Sequence, residues 1–510
     1  MDTVSKESDL SSEIVSQASY IAMTSIVSRI CGVLFSVFIA RSLGSISLGI
    51  YSIIFSTISL FVALFSLGLG VTAEKTISQY YLTDLKYVGR LLGLVLSLFL
   101  LLTCSGTFFY FLATPFLSKV YPTVNFYEVI LPSIILLMVM SFNSIFESIL
   151  FGFQKIRLSM IINSVTSILL LLFALVVLLS MKGSSPVQLL LYAYALSQTC
   201  KFIFLILGFI SSVNSLKIKI SFLNLQELVV PVLFKLSLPV FINKILEQPL
   251  SWVSILLLAK LAGNISYVGG ITVINYIKAW IIYLPSMFIP VYLPLLSRLY
   301  GNENKKNFIF AISFNFKLLW IMTLPPLLFT IINCKVILRY FFGLEYLVFG
   351  NACAILLSTT IFTILNELND RTMIATGNVW ASLCFRIVFW LMLLSGICAF
   401  VPSMGLDGYA IVFLVSYFIY VLMQTIWIMK VINFENVTLK ILILVISIVS
   451  LWLAYILLNM FSGVYVVIIG LIISSLMFII GWNNFFTVNE KMNVYEDLKR
   501  VPFFKFIKFT

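Results

Sequence analysis

Five basic side chains fall inside stretches that are otherwise apolar for about 20 residues, the length of a membrane-crossing helix: Arg29, Lys201, Lys244, Lys278 and Arg386. A cation at the centre of hydrocarbon costs about 2.5–3.5 kcal/mol on insertion scales, so such residues face water, a partner charge or an anionic cargo. Their common chemistry is anion binding. Arg29 lies about 16 Å into the first stretch at 1.5 Å per residue, and Lys244 and Lys278 are also near mid-depth. Lys201 is closer to the inner side, and Arg386 is close enough to the inner end to snorkel out along its own stem. Asn275 stands one turn before Lys278 and adds a neutral hydrogen-bonding group. Two acids, Glu247 and Glu147, are candidates for coupling an ion, because a carboxylate in the membrane is a binding point for a proton or a cation. Glu247 is also one turn from Lys244, and neutralising that lysine is its alternative role.

Fourteen apolar stretches must position these groups: 18–40, 48–70, 91–113, 129–151, 159–180, 188–210, 235–258, 268–292, 312–333, 347–366, 380–400, 408–429, 440–459 and 464–482. The ninth carries Pro325-Pro326 and is the weakest helix by that measure. Across its 510 residues the chain is 61% hydrophobic and only 10% charged, which excludes an ordinary soluble domain. Short alternating segments of the β-barrel kind are missing from the sequence. The expected fold class is therefore all-α and polytopic. With the N-terminus inside, the inner segments hold 21 Lys and Arg and the outer loops hold 6. That asymmetry predicts an even number of crossings with both ends in the cytoplasm.

The chemistry excluded is as informative. Histidine is absent from the sequence, which removes the commonest general base and zinc ligand. Seven cysteines form no CxxC pair and read as small apolar residues. No cofactor, metal or nucleic-acid motif stands out, and the outer loops are short. Serine and threonine stripes accompany the charges: Ser25, Ser28 and Ser36 in the first stretch, Ser52, Ser56, Ser59 and Ser66 in the second, and Thr272 in the eighth. The tenth stretch aligns Thr359, Thr363, Asn366 and Asp370. They read either as the lining of a shared hydrated cavity or as small residues packing one helix on another.

A weak internal repeat divides the chain. Ala40-Arg41-Ser42-Leu43-Gly44-Ser45-Ile46-Ser47 recurs as Ala259-Lys260-Leu261-Ala262-Gly263-Asn264-Ile265-Ser266. Gly152-Phe153-Gln154-Lys155 has a fainter echo in Gly377-Asn378-Val379-Trp380. Two six-helix lobes are expected, 1–210 and 235–430, related by an axis along the membrane normal. An amphipathic cytoplasmic linker covers 211–234, two further helices cover 431–482, and a basic tail, 483–510, mixes Lys and Phe and suits anionic lipid.

The Ala40-Arg41-Ser42-Leu43-Gly44…Gly49-Ile50-Tyr51 stretch and the Gly152-Phe153-Gln154-Lys155 turn resemble those of the polysaccharide transporter family, within the MATE-like MOP superfamily, which includes Wzx-type O-antigen flippases. Arg29 stands where related lipid-linked-sugar flippases carry a cavity arginine. The resemblance implies two MATE-like lobes around a central cavity, a bacterial inner-membrane location, and no enzymatic activity. It implies flipping of undecaprenyl-pyrophosphate-linked oligosaccharide by alternating access, with the bilayer, a polysaccharide polymerase and a chain-length regulator as partners. Fourteen stretches exceed the twelve usual in sugar-repeat flippases and approach the lipid II flippase, which is one alternative. A multidrug or cation antiporter of the same superfamily is another, although an interior with more bases than acids suits cationic drugs poorly.

Overall fold

Gly44 bends the first helix. In the computed structural model α1 spans Asp2–Phe65 and carries a break at Gly44 (φ 73°, ψ 172°), so that one continuous element contains the first expected stretch and most of the second, which ends five residues earlier than expected. The structure describes residues 2–81, 83–179, 186–221, 238–286, 305–432 and 465–485, together with Tyr292, Leu296 and Tyr300. Within them α2 covers Leu69–Tyr80, α3 Leu85–Val120, α4 Ile130–Gly152, α5 Ile156–Leu179 and α6 Pro186–Ser215. Next come α7 (Leu238–Leu261), α8 (Ser266–Ser286) and α9 (Lys305–Ile332). Short helical turns over Cys334–Phe349 lead into α10 (Gly350–Ala375), α11 (Val379–Ile432) and α12 (Tyr465–Phe485). The described residues are helices and their connections, without a strand.

Nine of the described helices are long and apolar enough to cross a membrane. Two of them hold more than one crossing. The apolar part of α1 has 40 residues and that of α11 has 52, or about 60 and 78 Å of helix against a hydrocarbon core of about 30 Å. A second glycine, Gly405 (φ 57°, ψ −130°), bends α11 between its two passes. The described residues hold thirteen α-helices when the four-residue turn Cys334–Ile337 is counted, in keeping with an architecture of about fourteen crossings. The expected stretch 440–459 lies outside the described residues, as do most of the linker and the basic tail.

The segment 71–90, between the second and third expected stretches, is largely helical. Leu67 and Gly68 adopt left-handed backbone (φ 43° and 69°) and end α1, and α2 restarts at once. Leu69, Thr72, Ala73, Thr76 and Ile77 are its buried residues, at spacings of three and four. They form one face of an amphipathic helix. The expected linker begins with the end of α6: Lys217 turns left-handed (φ 52°), and Ser221 N–H donates to the Gly89 carbonyl at 3.2 Å. Pro325 and Pro326 do not break α9. They remove two N–H donors and leave the carbonyls of Ile321 and Met322 without their usual helix partners.

The chain divides into two compact units. One contains residues 1–43 and 50–255, the other 44–49 and 256–495. In the first, Leu92, Val95 and Phe99 of α3 cluster with Ile145 and Ile149 of α4 and Leu205 of α6. Lipid is as apolar as these side chains, so their burial does not by itself drive helices together; close packing and interhelical hydrogen bonds do. Gly152 shows the packing, since a Cβ there would stand 2.8 Å from Ile77. Asn143 shows the bonding, donating to the Gln198 carbonyl at 3.0 Å and its side-chain oxygen at 2.9 Å. In the second unit α10 is the most enclosed span, with Leu357, Ile361 and Leu365 fully buried.

Candidate functional site

Two carboxylates each hold one of the five intramembrane cations. Glu147, on α4, accepts from Ser159 at 3.2 Å and Asn163 at 2.6 Å, both on α5, and from the Lys201 ammonium on α6 at 3.0 Å. Asp370, on α10, accepts from Ser382 at 2.6 Å and from the Arg386 guanidinium at 2.7 Å, both in the first pass of α11. It also accepts from Gln424, in the second pass, at 2.8 Å. Each carboxylate therefore takes three donors from two following helical passes and carries one compensating cation. Lys201 and Arg386 are engaged by protein carboxylates. Arg386 turns to Asp370 rather than snorkelling, because a carboxylate at 2.7 Å offers a charge-assisted bond within its reach. Glu147 is similarly occupied by a tethered ammonium.

Lys278 is different. Its ammonium donates to the Thr359 hydroxyl of α10 at 2.9 Å and stands 5.5 Å from the centre of the Tyr417 ring. Among the described residues no salt bridge reaches it. A hydroxyl and an aromatic face orient the ammonium without cancelling its charge. Asn275, one turn earlier on α8, is exposed. The sequence pattern anticipates Thr359 through the polar stripe of the tenth stretch. Tyr417 escaped it, since an aromatic residue among apolar neighbours carries no mark of its partner.

Arg29 is exposed in the first unit, and its neighbour Ser28 bonds to Ser164 of α5 at 3.2 Å. Lys244 and Glu247 lie on α7, but their side chains fall outside the described residues. Many hydroxyls of the stripes are taken up by their own helices. Ser36 bonds to the Val33 carbonyl, Ser56 to Ile53, Ser66 to Ala63, Thr272 to Val268 and Thr363 to Thr359. Such back-bonding satisfies a hydroxyl in an apolar setting and frees few of them for a cargo.

A third carboxylate has a structural task. Glu345 accepts from both the backbone N–H and the hydroxyl of Ser45 at 3.1 Å, capping the helix that restarts after Gly44. Among the described residues no group of His, Cys, Asp and Glu has the arrangement of a metal site.

No protein-family model and no curated protein matches the sequence. Solved structures do. An inward closed structure of the lipid II flippase MurJ superposes with a TM-score of 0.68 at 17% identity, covering 94% of this chain and 99% of that one. An inward-facing multidrug resistance MATE transporter of the MOP superfamily gives 0.66 at 16% identity, over 80% of this chain and 94% of its own. An outward-facing one gives 0.61 at 16% identity, over 83% and 96%. Likeness at this identity is a likeness of fold. The chain is a multi-pass membrane protein with the all-helical architecture of these transporters.

Proposed function

We propose that the protein carries the anionic head of a polyprenyl-pyrophosphate-linked oligosaccharide across the inner membrane of a bacterium by alternating access. The observation that carries this reading is Lys278, a cation on α8 held by Thr359 and Tyr417, while Lys201 and Arg386 are matched by Glu147 and Asp370. A pyrophosphate is a natural ligand for a cation held in low dielectric. Arg29, exposed at its position in α1, is a second candidate contact, and Asn275 offers a neutral one to the sugars. The longer match to a lipid II flippase, 94% of this chain against 80–83% for the MATE transporters, supports a lipid-linked cargo.

The direct test is movement of a fluorescent undecaprenyl-pyrophosphate disaccharide in proteoliposomes, read by a membrane-impermeant quencher. Wild-type protein should move the label between leaflets, and Lys278→Ala should slow it at least tenfold. Unchanged flipping in a folded Lys278→Ala protein would overturn the assignment of that residue. A multidrug antiporter would instead leave the lipid label in place and export an organic cation such as ethidium against a proton or sodium gradient.

A further inference from the structure

The two carboxylate clusters coincide when the chain is shifted by 223 residues. The anchor is backbone. Gln154 (φ 57°) ends α4 and Gly377 (φ 79°) ends α10, each in the left-handed region. The next residue closes the same turn in both: Lys155 N–H donates to the Leu150 carbonyl at 2.9 Å, and Asn378 N–H to the Met373 carbonyl at 2.8 Å. These are helix terminations of one kind. From that register Glu147 falls on Asp370, Ser159 on Ser382, Asn163 on Arg386 and Lys201 on Gln424. All four are members of the clusters. Asn143 falls on Asn366, one turn before each carboxylate. Independent ion pairs have no reason to obey one offset on three separate helical passes.

The two copies differ in one respect. In the first unit the cation enters from the third pass, Lys201, and the amide from the second, Asn163. In the second unit the cation enters from the second pass, Arg386, and the amide from the third, Gln424. Charge and amide have exchanged places around a carboxylate that stays fixed. We infer that the clusters are duplicates of one positioning device, a carboxylate that clasps the two passes after it and needs a single cation from either position. Lys201 and Arg386 are on this reading positioning residues, and neither Glu147 nor Asp370 carries a coupling ion.

The test exchanges the arrangements. Lys201→Gln leaves Glu147 uncompensated and should lower the unfolding temperature in detergent by roughly 5 °C, as expected for a half-buried broken pair. Unfolding is read by a thiol-reactive dye on the buried Cys31, Cys334 and Cys353. Asn163→Arg with Lys201→Gln rewrites the first cluster in the pattern of the second and should recover most of that loss. Arg386→Asn should be rescued in the same way by adding Gln424→Lys. As a control, Lys201→Gln with Thr199→Lys, off the register, should not recover. If the exchanged doubles are folded yet no more stable than the singles, the inference fails. This arm is independent of the cargo. The second arm rests on the proposed cargo and uses the fluorescent undecaprenyl-pyrophosphate disaccharide. Glu147→Gln with Lys201→Gln should keep the wild-type dependence of flipping on pH and on sodium. Loss of either dependence would assign the coupling ion to Glu147. Absence of flipping by wild-type protein would count against the cargo alone.

Discussion

Tyr194 and Tyr417 occupy matching positions in the two units, 223 residues apart, and face different partners. The Tyr194 ring meets Phe55 edge-on with centroids 5.4 Å apart, whereas the Tyr417 ring lies 5.5 Å from the Lys278 ammonium. Phe55 and Lys278 both follow the glycine break of their repeat, in the helix after Gly44 and in α8 after Gly263. One aromatic position thus packs against a ring in one unit and orients a cation in the other. The asymmetry gives the second unit an oriented cation where the first has only ring packing, which is where the proposed function places the cargo's head group.

That relationship makes the tyrosine ring a measurable part of the Lys278 site. Tyr417→Phe preserves the aromatic face and should leave flipping within about twofold of wild type. Tyr417→Leu removes it, and a cation–π contact of about 1 kcal/mol corresponds to roughly a fivefold loss of head-group affinity. Lys278→Arg should keep part of the activity, while Lys278→Met should keep little. Titrating the transport rate against lipid-linked substrate separates these outcomes. Equal behaviour of Tyr417→Phe and Tyr417→Leu would remove the ring from the site.

Glu345 holds the start of the helix that follows Gly44. Its carboxylate receives two bonds from Ser45, at a helix N-terminus where negative charge is favoured. Glu345→Ala should cost about 1–2 kcal/mol, seen as a lowered unfolding temperature and earlier proteolysis near residues 41–46. Glu345→Gln keeps an acceptor without the charge and should fall between. Ser45→Ala, which loses only the hydroxyl bond, should be milder than Glu345→Ala.

The segment after Gly44 meets the start of α8 through glycines on both sides. A Cβ at Gly49 would stand 2.5 Å from the Ile265 carbonyl oxygen, and one at Gly269 would collide with the Ser45 carbonyl. Backbone cannot yield as a flexible side chain does, so Gly49→Ala and Gly269→Ala should each force the two segments apart. Reduced yield of folded protein and an unfolding temperature lowered by several degrees are the expected results. Gly32→Ala is the control, because nothing lies within 4 Å of its missing Cβ.

Much of this architecture is legible in the sequence. Apolar length and the distribution of Lys and Arg carry the polytopic helical class, and the likeness of the Gly44 and Gly263 segments points to a duplication. Both glycines do take left-handed backbone, φ 73° and 64°. The pairing of charges was not legible. Arg386 reads as a snorkelling side chain because depth along one helix says nothing about a carboxylate on the helix before it. Asp370 falls in a polar stripe, but its donors come from residues 12, 16 and 54 positions away. The second echo of the repeat is displaced in sequence. Matching Gly152 to Gly377 misses by two residues, since the left-handed turn that fixes the register uses Gln154 in the first unit and glycine in the second. A conformation shared by Gln and Gly leaves no common letter.

Charge movement offers a last measurement. With Glu147 and Asp370 each compensated by a tethered cation, the described residues of the two clusters bring no net charge, and on the proposed function the current of transport is expected to follow the charge of the cargo. A pyrophosphate head bears about two negative charges, and each gains about 2.3 kcal/mol per 100 mV when moved out of an inside-negative compartment. An imposed potassium diffusion potential of 100 mV, inside negative, should therefore bias the fluorescent lipid strongly toward the outer leaflet. Reversing the potential should reverse the bias, and dissipating it should leave an even distribution between leaflets. A pH or sodium gradient imposed at zero potential should produce no accumulation. Accumulation that follows either chemical gradient and ignores the potential would mean that an ion crosses with the cargo, bound to a group other than these two compensated carboxylates or to one of them released from its cation.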